Sequence, residues 1–352
     1  MTSGPGSGRS VSGAIGYGVV VHGGVGSSGR LKDPCAKICR QAFLILEKGG
    51  HALDAVVEAV RLLEDDGRFN AGSGSVLRLD GRTVEMDASV MDSSGRLGAV
   101  VALREAKNPV LVAKAVTDTP HVMLAGTGAD LLARKLGFEP PGPPSLKVVD
   151  RYRKTLRMLQ NGRLSRRDRR WTVPDVEKWW NFPTGYEEVF PLDTASSTDR
   201  ALSTDIVSST DTVFSTDTVG AVAIDGRGRL AVASSTGGAS PMMLGRVGDT
   251  AVVGAGFYVG EKAAIAATGI GEEILRKVLA RSVYDSFQGG TTIVSACENE
   301  IGRFPRSVPV GVIAISRAGY AIVANRRMAA YALFKEACGE AIFSPSSSLS
   351  CE

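Results

Sequence analysis

Asp217-Thr218-Val219-Gly220-Ala221-Val222-Ala223-Ile224-Asp225 is the place where a polar tract gives way to a core strand. From Val219 to Ile224 the residues are glycine, alanine or branched aliphatics. This is an apolar, β-prone run, closed by the Asp225-Gly226 turn signal, with residues 230–234 as its hairpin partner. Upstream the character is the opposite: Ser-Thr-Asp recurs every six residues, beginning at Ser197, Ser203, Ser209 and Ser215. Such repeats bury too little apolar surface to offset their ordering entropy, so the first three are expected to be exposed and flexible. The fourth runs directly into a strand whose first residue is a threonine.

A hydroxyl is a poor nucleophile without a base beside it. A threonine at a chain terminus carries one in its own α-amine, whose ordinary pKa of about 7.7–8 lies near working pH. A cut between Asp217 and Thr218 would therefore create a self-sufficient nucleophile. Asp211-Thr212-Val213 copies the junction without the strand that follows, which makes Thr212 the weaker site. Only three histidines occur (His22, His51, His121) and no Gly-x-Ser-x-Gly elbow is present, so a serine triad has little support. Taken alone, Thr218 reads as an ordinary strand residue, and other features must lift it above that reading.

Three downstream stretches do so. Ser235-Thr236-Gly237-Gly238 sets a second hydroxyl before two glycines, where backbone can approach a substrate closely. Gly245-Arg246-Val247-Gly248-Asp249 puts a guanidinium and a carboxylate three residues apart. An arginine grips a carboxylate bidentately and an aspartate holds an ammonium, so the pair suits the zwitterionic head of an amino acid; in isolation it would be a surface ion pair of little worth. Thr268-Gly269-Ile270-Gly271-Glu272 places a third threonine at a strand end, before a helix whose N-terminal amides favour developing negative charge.

These four stretches, in this order and spacing, resemble the signature blocks of the plant-type asparaginase and isoaspartyl peptidase family of N-terminal nucleophile hydrolases. In the first half, His22-Gly23-Gly24-Val25-Gly26, Phe69-Asn70-Ala71-Gly72, Met86-Asp87-Ala88-Ser89-Val90-Met91-Asp92 and Lys107-Asn108-Pro109-Val110 resemble its remaining blocks. Coverage runs from residue 17 to 324, the linker excepted. The resemblance implies an α+β fold, a four-layer αββα sandwich made as one precursor and cleaved into α and β chains of a single domain that associates as (αβ)2. It implies that Thr218 attacks its own preceding peptide bond and later the substrate amide, that Thr236 orients it, and that Thr268 with the Gly269 amide forms the oxyanion hole. Arg246 would bind the substrate α-carboxylate, Asp249 its α-ammonium, and Asn70 would position the nucleophile. No catalytic metal or cofactor is implied, but the loop bounded by Glu64 and Ser73 resembles one that binds structural sodium through backbone carbonyls. Asn325-Arg326-Arg327-Met328 departs from the family's usual Phe-Asn-Thr sequence.

The rest of the chain fits this scheme. Its 352 residues are 43% hydrophobic with a formal charge of +4, ordinary globular material with no global field to recruit nucleic acid or membrane. No run of about 18 apolar residues could span a bilayer, and residues 1–16 lack the apolar centre of a signal peptide. A cytoplasmic protein with a disordered lead-in is expected. The five cysteines include Cys35 and Cys39 at helical spacing, without partners for a zinc site, and read as buried or idle thiols.

On the resemblance, residues 17–139 are expected to form the α-chain part and residues 218–352 the β-chain part, joined by what composition reads as a flexible linker or insertion over 140–217. Strands are expected at 17–21, 76–79, 84–91, 98–103, 250–253, 263–267, 310–315 and 320–324. Helices are expected at 33–48, with Asp33 as cap, and at 52–64, 110–117, 129–136 and 272–283. Three rivals stay open. A taspase-like endopeptidase would give the basic stretch 151–170 a role, although Asp249 suits a free amine better than a continuing chain. A glycosylasparaginase would need a sugar pocket and another compartment. An uncleaved protein could use 151–170 for salt-dependent contact with nucleic acid.

Overall fold

The computed structural model describes residues 9–10, 14–162, 173–190, 218–337 and 341–345. Asp217 and the Ser-Thr-Asp tract lie outside them. Along the chain come β1 (Arg9–Ser10), β2 (Ile15–Val25), α1 (Lys32–Glu47), α2 (Ala52–Asp65), β3 (Met86–Asp92), β4 (Leu97–Leu103), α3 (Pro109–Val116), β5 (Met123–Ala125) and α4 (Gly126–Lys135). Then follow α5 (Leu146–Gln160), α6 (Val173–Lys178), α7 (Tyr186–Val189), β6 (Val219–Ile224), β7 (Leu230–Thr236), β8 (Phe257–Val259) and β9 (Ala263–Gly269). The chain closes with α8 (Gly271–Lys277), α9 (Leu279–Gln288), α10 (Ile293–Gly302), β10 (Val310–Ser316), β11 (Gly319–Ala324), β12 (Met328–Glu336) and β13 (Ala341–Pro345). The fold is mixed α+β. No helix among the described residues is long and apolar enough to cross a membrane.

Two sheets carry the architecture. One runs β13-β12-β2-β6-β7-β3-β4-β5 and the other β1-β11-β10-β9-β8, with every pairing antiparallel except β4 with β5. Successive side chains on a strand point to opposite faces. On β6, Val219, Ala221 and Ala223 pack with helices α1 to α3, while Val222 and Ile224 enter an apolar layer between the sheets. On β10, Val310, Val312 and Ala314 face α9 and α10, while Ile313 and Ile315 meet the same inter-sheet layer. Strands buried on both faces need non-polar residues along their length, and β6 and β10 have them, the terminal Ser316 of β10 excepted. Helix α2 shows the matching pattern for one buried face, with Leu53, Val56, Val60 and Leu63 at helical spacing. Each such side chain, fully buried, stabilises by about 1.5–3 kcal/mol.

Several expectations change. β2 does not stop at the glycines: His22 pairs with Ala330 and Val25 with Met328, so β12 carries the strand through them. Two residues of the lead-in, Arg9 and Ser10, pair with β11. Asp33 lies inside the first turn of α1, whose N-cap is Leu31. Residues 76–79 form no strand, because the Val76 amide donates to Asn70 Oδ1 and the Arg78 amide to the Thr83 carbonyl across a tight turn. Residues 250–253 likewise turn, with the Val252 amide bonded to the Asp249 carbonyl. The helix expected over 272–283 breaks at Val278, which adopts φ +47°. The Ala280 and Arg281 amides donate to the Ala255 and Gly254 carbonyls, so the start of α9 is pulled onto that loop and the chain must bend.

The largest change concerns residues 140–217. Their described parts are not flexible linker but three helices. Ser145 caps α5 through a hydrogen bond from the Val148 amide, and Leu159, Val176, Phe182 and Phe190 bury themselves with Leu79 in a cluster of their own. Cys35, Cys39 and Cys297 are buried free thiols.

Candidate active site

The three threonines singled out in the sequence end three strands on the face turned between the sheets. Leu230 and Val232 of β7 and Ala264 and Ala266 of β9 lie in the inter-sheet layer, and the alternation puts Thr236 and Thr268 on the same sides. Thr218 continues the parity of Val222. Because Val219 pairs with Ser235, Thr218 and Thr236 are the next positions across, and Asp87 of β3 pairs with Thr236.

Thr218 is buried, and its Oγ1 lies 3.4 Å from Oγ1 of Thr250, so that either hydroxyl can donate. Thr250 is held by Ser89, whose hydroxyl donates to its carbonyl at 2.6 Å. His22 stands opposite Gly220 in the register and accepts a hydrogen bond from the Gly24 amide at Nδ1. Burial pushes its imidazole down to about 3, against an opposing hydrogen bond with the Thr218 backbone, so the ring is neutral at working pH. The approach depends on Gly220: a Cβ there would sit 2.5 Å from His22 Nε2.

Asn70 ties the neighbouring turn. Its Nδ2 donates to the Gly238 carbonyl at 2.6 Å, and its own carbonyl accepts from the Gly237 amide at 2.8 Å. Thr236 closes the same turn by accepting from the Gly238 amide at 3.0 Å. Thr268 accepts from the Val25 amide at 3.3 Å, which orients its hydroxyl at the end of β9, where Gly269 takes φ +149°.

Arg246 and Asp249 converge. A Cβ on Gly271 would lie 2.8 Å from Arg246 Nη2 and 2.9 Å from Asp249 Oδ1, so both groups border one small space. Arg246 donates through Nε and Nη2 to the two carboxylate oxygens of Glu272, each at 2.9 Å. That side-on pairing leaves the end-on edge of the guanidinium for another carboxylate. Asp249 is buried, and burial pushes its carboxyl up to about 7, with Arg246 opposing the rise and Glu272 and Asp87 adding to it. Its Oδ2 has no hydrogen-bond partner among the described residues. A buried acceptor without a donor is costly unless a ligand supplies one.

A second charged pair braces the anchor loop. Arg78, almost fully buried, contacts Glu85 at 3.2 Å and donates to the Gly237 carbonyl at 2.9 Å; burial lowers its pKa to about 10. Glu85 also accepts from the Gly245 amide and from Arg104. Burial also raises the carboxyl of Asp87, which accepts from the Ala102 amide at 2.9 Å.

Of the residues that the sequence singles out, Thr218, Thr236 and Asn70 lie at neighbouring strand ends and turns, Thr268 and Gly269 end β9, and Arg246 and Asp249 border one space; Thr250, His22, Asp87 and the Arg78–Glu85 pair lie beside them without having been assigned a part. The one available signal was the hydroxyl directly after Asp249, hidden because Thr250 read as the start of a strand. Asp217, the other half of the expected cut, lies outside the described residues. Among those residues no group of three or more His, Cys, Asp or Glu side chains is arranged to hold a metal ion.

Strand-end hydroxyls beside a buried carboxylate and a guanidinium make this a threonine-type amidohydrolase candidate. Comparison with known proteins gives the family. The asparaginase family profile matches residues 15–341. A plant-type L-asparaginase of Pyrococcus horikoshii is 32% identical over 335 residues, covering 92% of this chain and 97% of the relative. Isoaspartyl peptidase/L-asparaginases of Bos taurus and Rattus norvegicus are each 37% identical, over 86% and 79% of this chain and 87% and 73% of their own lengths. The chain belongs to the asparaginase family of amidohydrolases.

Proposed function

We propose that this chain is a self-processing threonine amidohydrolase that converts L-asparagine to L-aspartate and ammonia and cleaves β-aspartyl dipeptides. The observation that carries it is the buried Thr218 hydroxyl against Thr250, next in the chain to Asp249, whose buried Oδ2 has no hydrogen-bond partner among the described residues. The names of the relatives, asparaginase and isoaspartyl peptidase, point the same way.

In maturation Thr218 Oγ adds to the Asp217 carbonyl carbon, the C–N bond breaks to give an ester and a free Thr218 amine, and water hydrolyses the ester. In turnover that amine takes the hydroxyl proton as Oγ attacks the side-chain amide. Ammonia or an amino acid leaves, and water releases aspartate from the acyl-enzyme. Thr236 orients the nucleophile. The Thr268 hydroxyl and Gly269 amide stabilise the oxyanion, a kind of contact whose single donors are worth about a hundred-fold or more in rate. Arg246 takes the α-carboxylate through its end-on edge, Asp249 takes the α-ammonium, and Asn70 keeps the Gly237-Gly238 turn in place.

The two sheets with helices outside them are read as a four-layer αββα sandwich. Residues 17–139 and 218–352 then make the α-chain and β-chain parts of one domain, which pairs as (αβ)2 in the cytoplasm. The loop bounded by Glu64 and Ser73 fits a structural sodium. A Cβ on Gly72 would lie 2.6 Å from the Glu64 carbonyl oxygen, and one on Gly74 would lie 2.8 Å from that of Gly67, so glycines let several carbonyls crowd together. A hard cation bound there would brace the loop carrying Asn70. No cofactor is needed for the chemistry.

Incubated protein should give two bands on a denaturing gel, the smaller starting at Thr218, together with ammonia release from asparagine. Thr218→Ala should stop both; normal cleavage in that variant would remove Thr218 as the nucleophile.

A further inference from the structure

The described helices of residues 146–190 are built onto the loop that carries Arg246. On α5, the Tyr152 hydroxyl donates to the Leu79 carbonyl at 3.0 Å, and Thr155 Oγ1 meets Ser240 Oγ at 3.1 Å in a buried contact. Past α6, the Asn181 side chain makes both hydrogen bonds of a peptide group with one residue. Its Nδ2 donates to the Leu244 carbonyl at 3.0 Å and its Oδ1 accepts from the Leu244 amide at 3.1 Å. The turn presenting Asn181 is itself fixed. Trp180 Nε1 donates to the Thr184 carbonyl at 2.6 Å, and its ring packs edge-on against Tyr186 and Phe190. Leu244 packs on the same apolar cluster.

Leu244 is two residues before Arg246, and between them the Gly245 amide is held from the other side by Glu85 at 2.8 Å. The loop from β7 to β8 has no ladder of its own, so these two anchors, one from the core and one from α6 and the turn after it, set where the backbone before Arg246 runs, while Glu272 holds the guanidinium itself. A bidentate grip tolerates misplacement of well under an ångström.

We propose that the described residues 146–162 and 173–190 are a positioning element for the substrate anchor: Asn181 fixes Leu244 and through it Arg246, and this part of the chain stays bound after cleavage. This rests on the reading of Arg246 as the carboxylate ligand. It makes the insertion part of the enzyme's specificity machinery, where the sequence alone suggests a flexible linker.

The test is Asn181→Ala in the full chain, a substitution at an exposed side chain that leaves the core untouched. Hydrogen exchange at the Leu244 amide should accelerate. In processed protein KM for asparagine should rise roughly three- to ten-fold with kcat unchanged, the effect of losing about one net hydrogen bond. In an Arg246→Lys background the same substitution should change KM by less, because the two residues act in series. Intact mass under denaturing conditions should show an α fragment that extends past residue 190. Unchanged Leu244 exchange, an unchanged KM, an undiminished effect in the Arg246→Lys background, or an α fragment ending before residue 146 would each overturn the proposal. If the unsubstituted protein fails to release ammonia from asparagine, the functional reading fails instead; exchange and fragment mass are read without any activity.

Discussion

Replacing Asp249 by asparagine removes a charge that the fold suppresses, and the structure sets the size and sign of the effect. Burial pushes this carboxyl from 3.8 up to about 7. An acid with a higher pKa in the folded than in the unfolded chain binds more protons when folded. Its contribution to stability is therefore fully present below the unfolded value and is lost as pH rises towards the folded one. The interval from 3.8 to about 7 corresponds to a loss of about 4 kcal/mol by pH 8. Asp249→Asn has nothing to ionise. It should match its parent near pH 4 and gain on it by about 1.4 kcal/mol for each pH unit up to 7.

The comparison is cleanest in a Thr218→Ala background, where both proteins remain single uncleaved chains. Urea unfolding midpoints at pH 5 and pH 8, converted through the denaturant slope, should show the advantage of the asparagine variant growing by about 3 kcal/mol. In the processed enzyme the same change should raise KM for asparagine steeply, because an amide cannot neutralise an ammonium. Stability gained at the cost of substrate binding marks a group kept for function. Equal advantages at the two pH values, or a variant less stable at pH 8, would refute the reasoning, since either would mean that Asp249 is not held near neutrality by burial.

Three further outcomes follow from the site. Thr250→Val removes the hydroxyl facing Thr218 and should lower kcat about ten-fold, with KM within two-fold, in steady-state assays; an unchanged kcat would make the 3.4 Å contact idle. Arg78→Ala strips a buried partner from Glu85 and should destabilise by roughly 3–5 kcal/mol in denaturant unfolding, whereas a loss under 1 kcal/mol would show that the pair contributes little. The buried Cys35 thiol, pushed up to about 12 by burial, should stay unmodified by a thiol reagent at pH 8 until denaturant is added; rapid labelling of the native protein at Cys35 would contradict its burial.

What could be read in the sequence was local. Val219 to Ile224 is apolar at every position and followed by a turn and a partner strand, so β6, β7 and the threonine at their head were visible without any long-range knowledge. Arg246 and Asp249 were visible for a similar reason, as two charges in a glycine-punctuated loop. His22 and Asp87 stood inside stretches that carry the resemblance, but their place in the site was not legible, because they reach it only through pairing across β2–β6 and β3–β7. The break at Val278 was hidden by a periodicity that runs unbroken through it; the cause is the capture of α9 by the Gly254 and Ala255 carbonyls. Helix α5 was mistaken for linker because its buried stripe of Val148, Thr155 and Leu159 is thin and surrounded by lysines and arginines. The partners against which it packs, among them Leu79, Val176, Phe190 and Leu244, lie elsewhere in the chain.

The charges around the anchor explain why a free amino-acid head, and not a continuing chain, is the substrate these residues suit. Arg246 already has one edge occupied by Glu272, so without ligand it is a paired cation, while Asp249 reaches the same small space as a buried acid with an unsatisfied oxygen. On the proposed reading a zwitterion would complete both at once: its carboxylate would take the open edge of Arg246, and its ammonium would let Asp249 ionise fully. The energy spent holding Asp249 near neutrality is then recovered only on binding. A peptide nitrogen at that position offers one neutral N–H and no charge, leaving the carboxyl to stay protonated or to ionise unpaired in a buried site. The same residue that weakens the empty protein would thus discriminate against an internal peptide segment, which is the physical ground for preferring an asparagine and β-aspartyl hydrolase over an endopeptidase built on the same threonine.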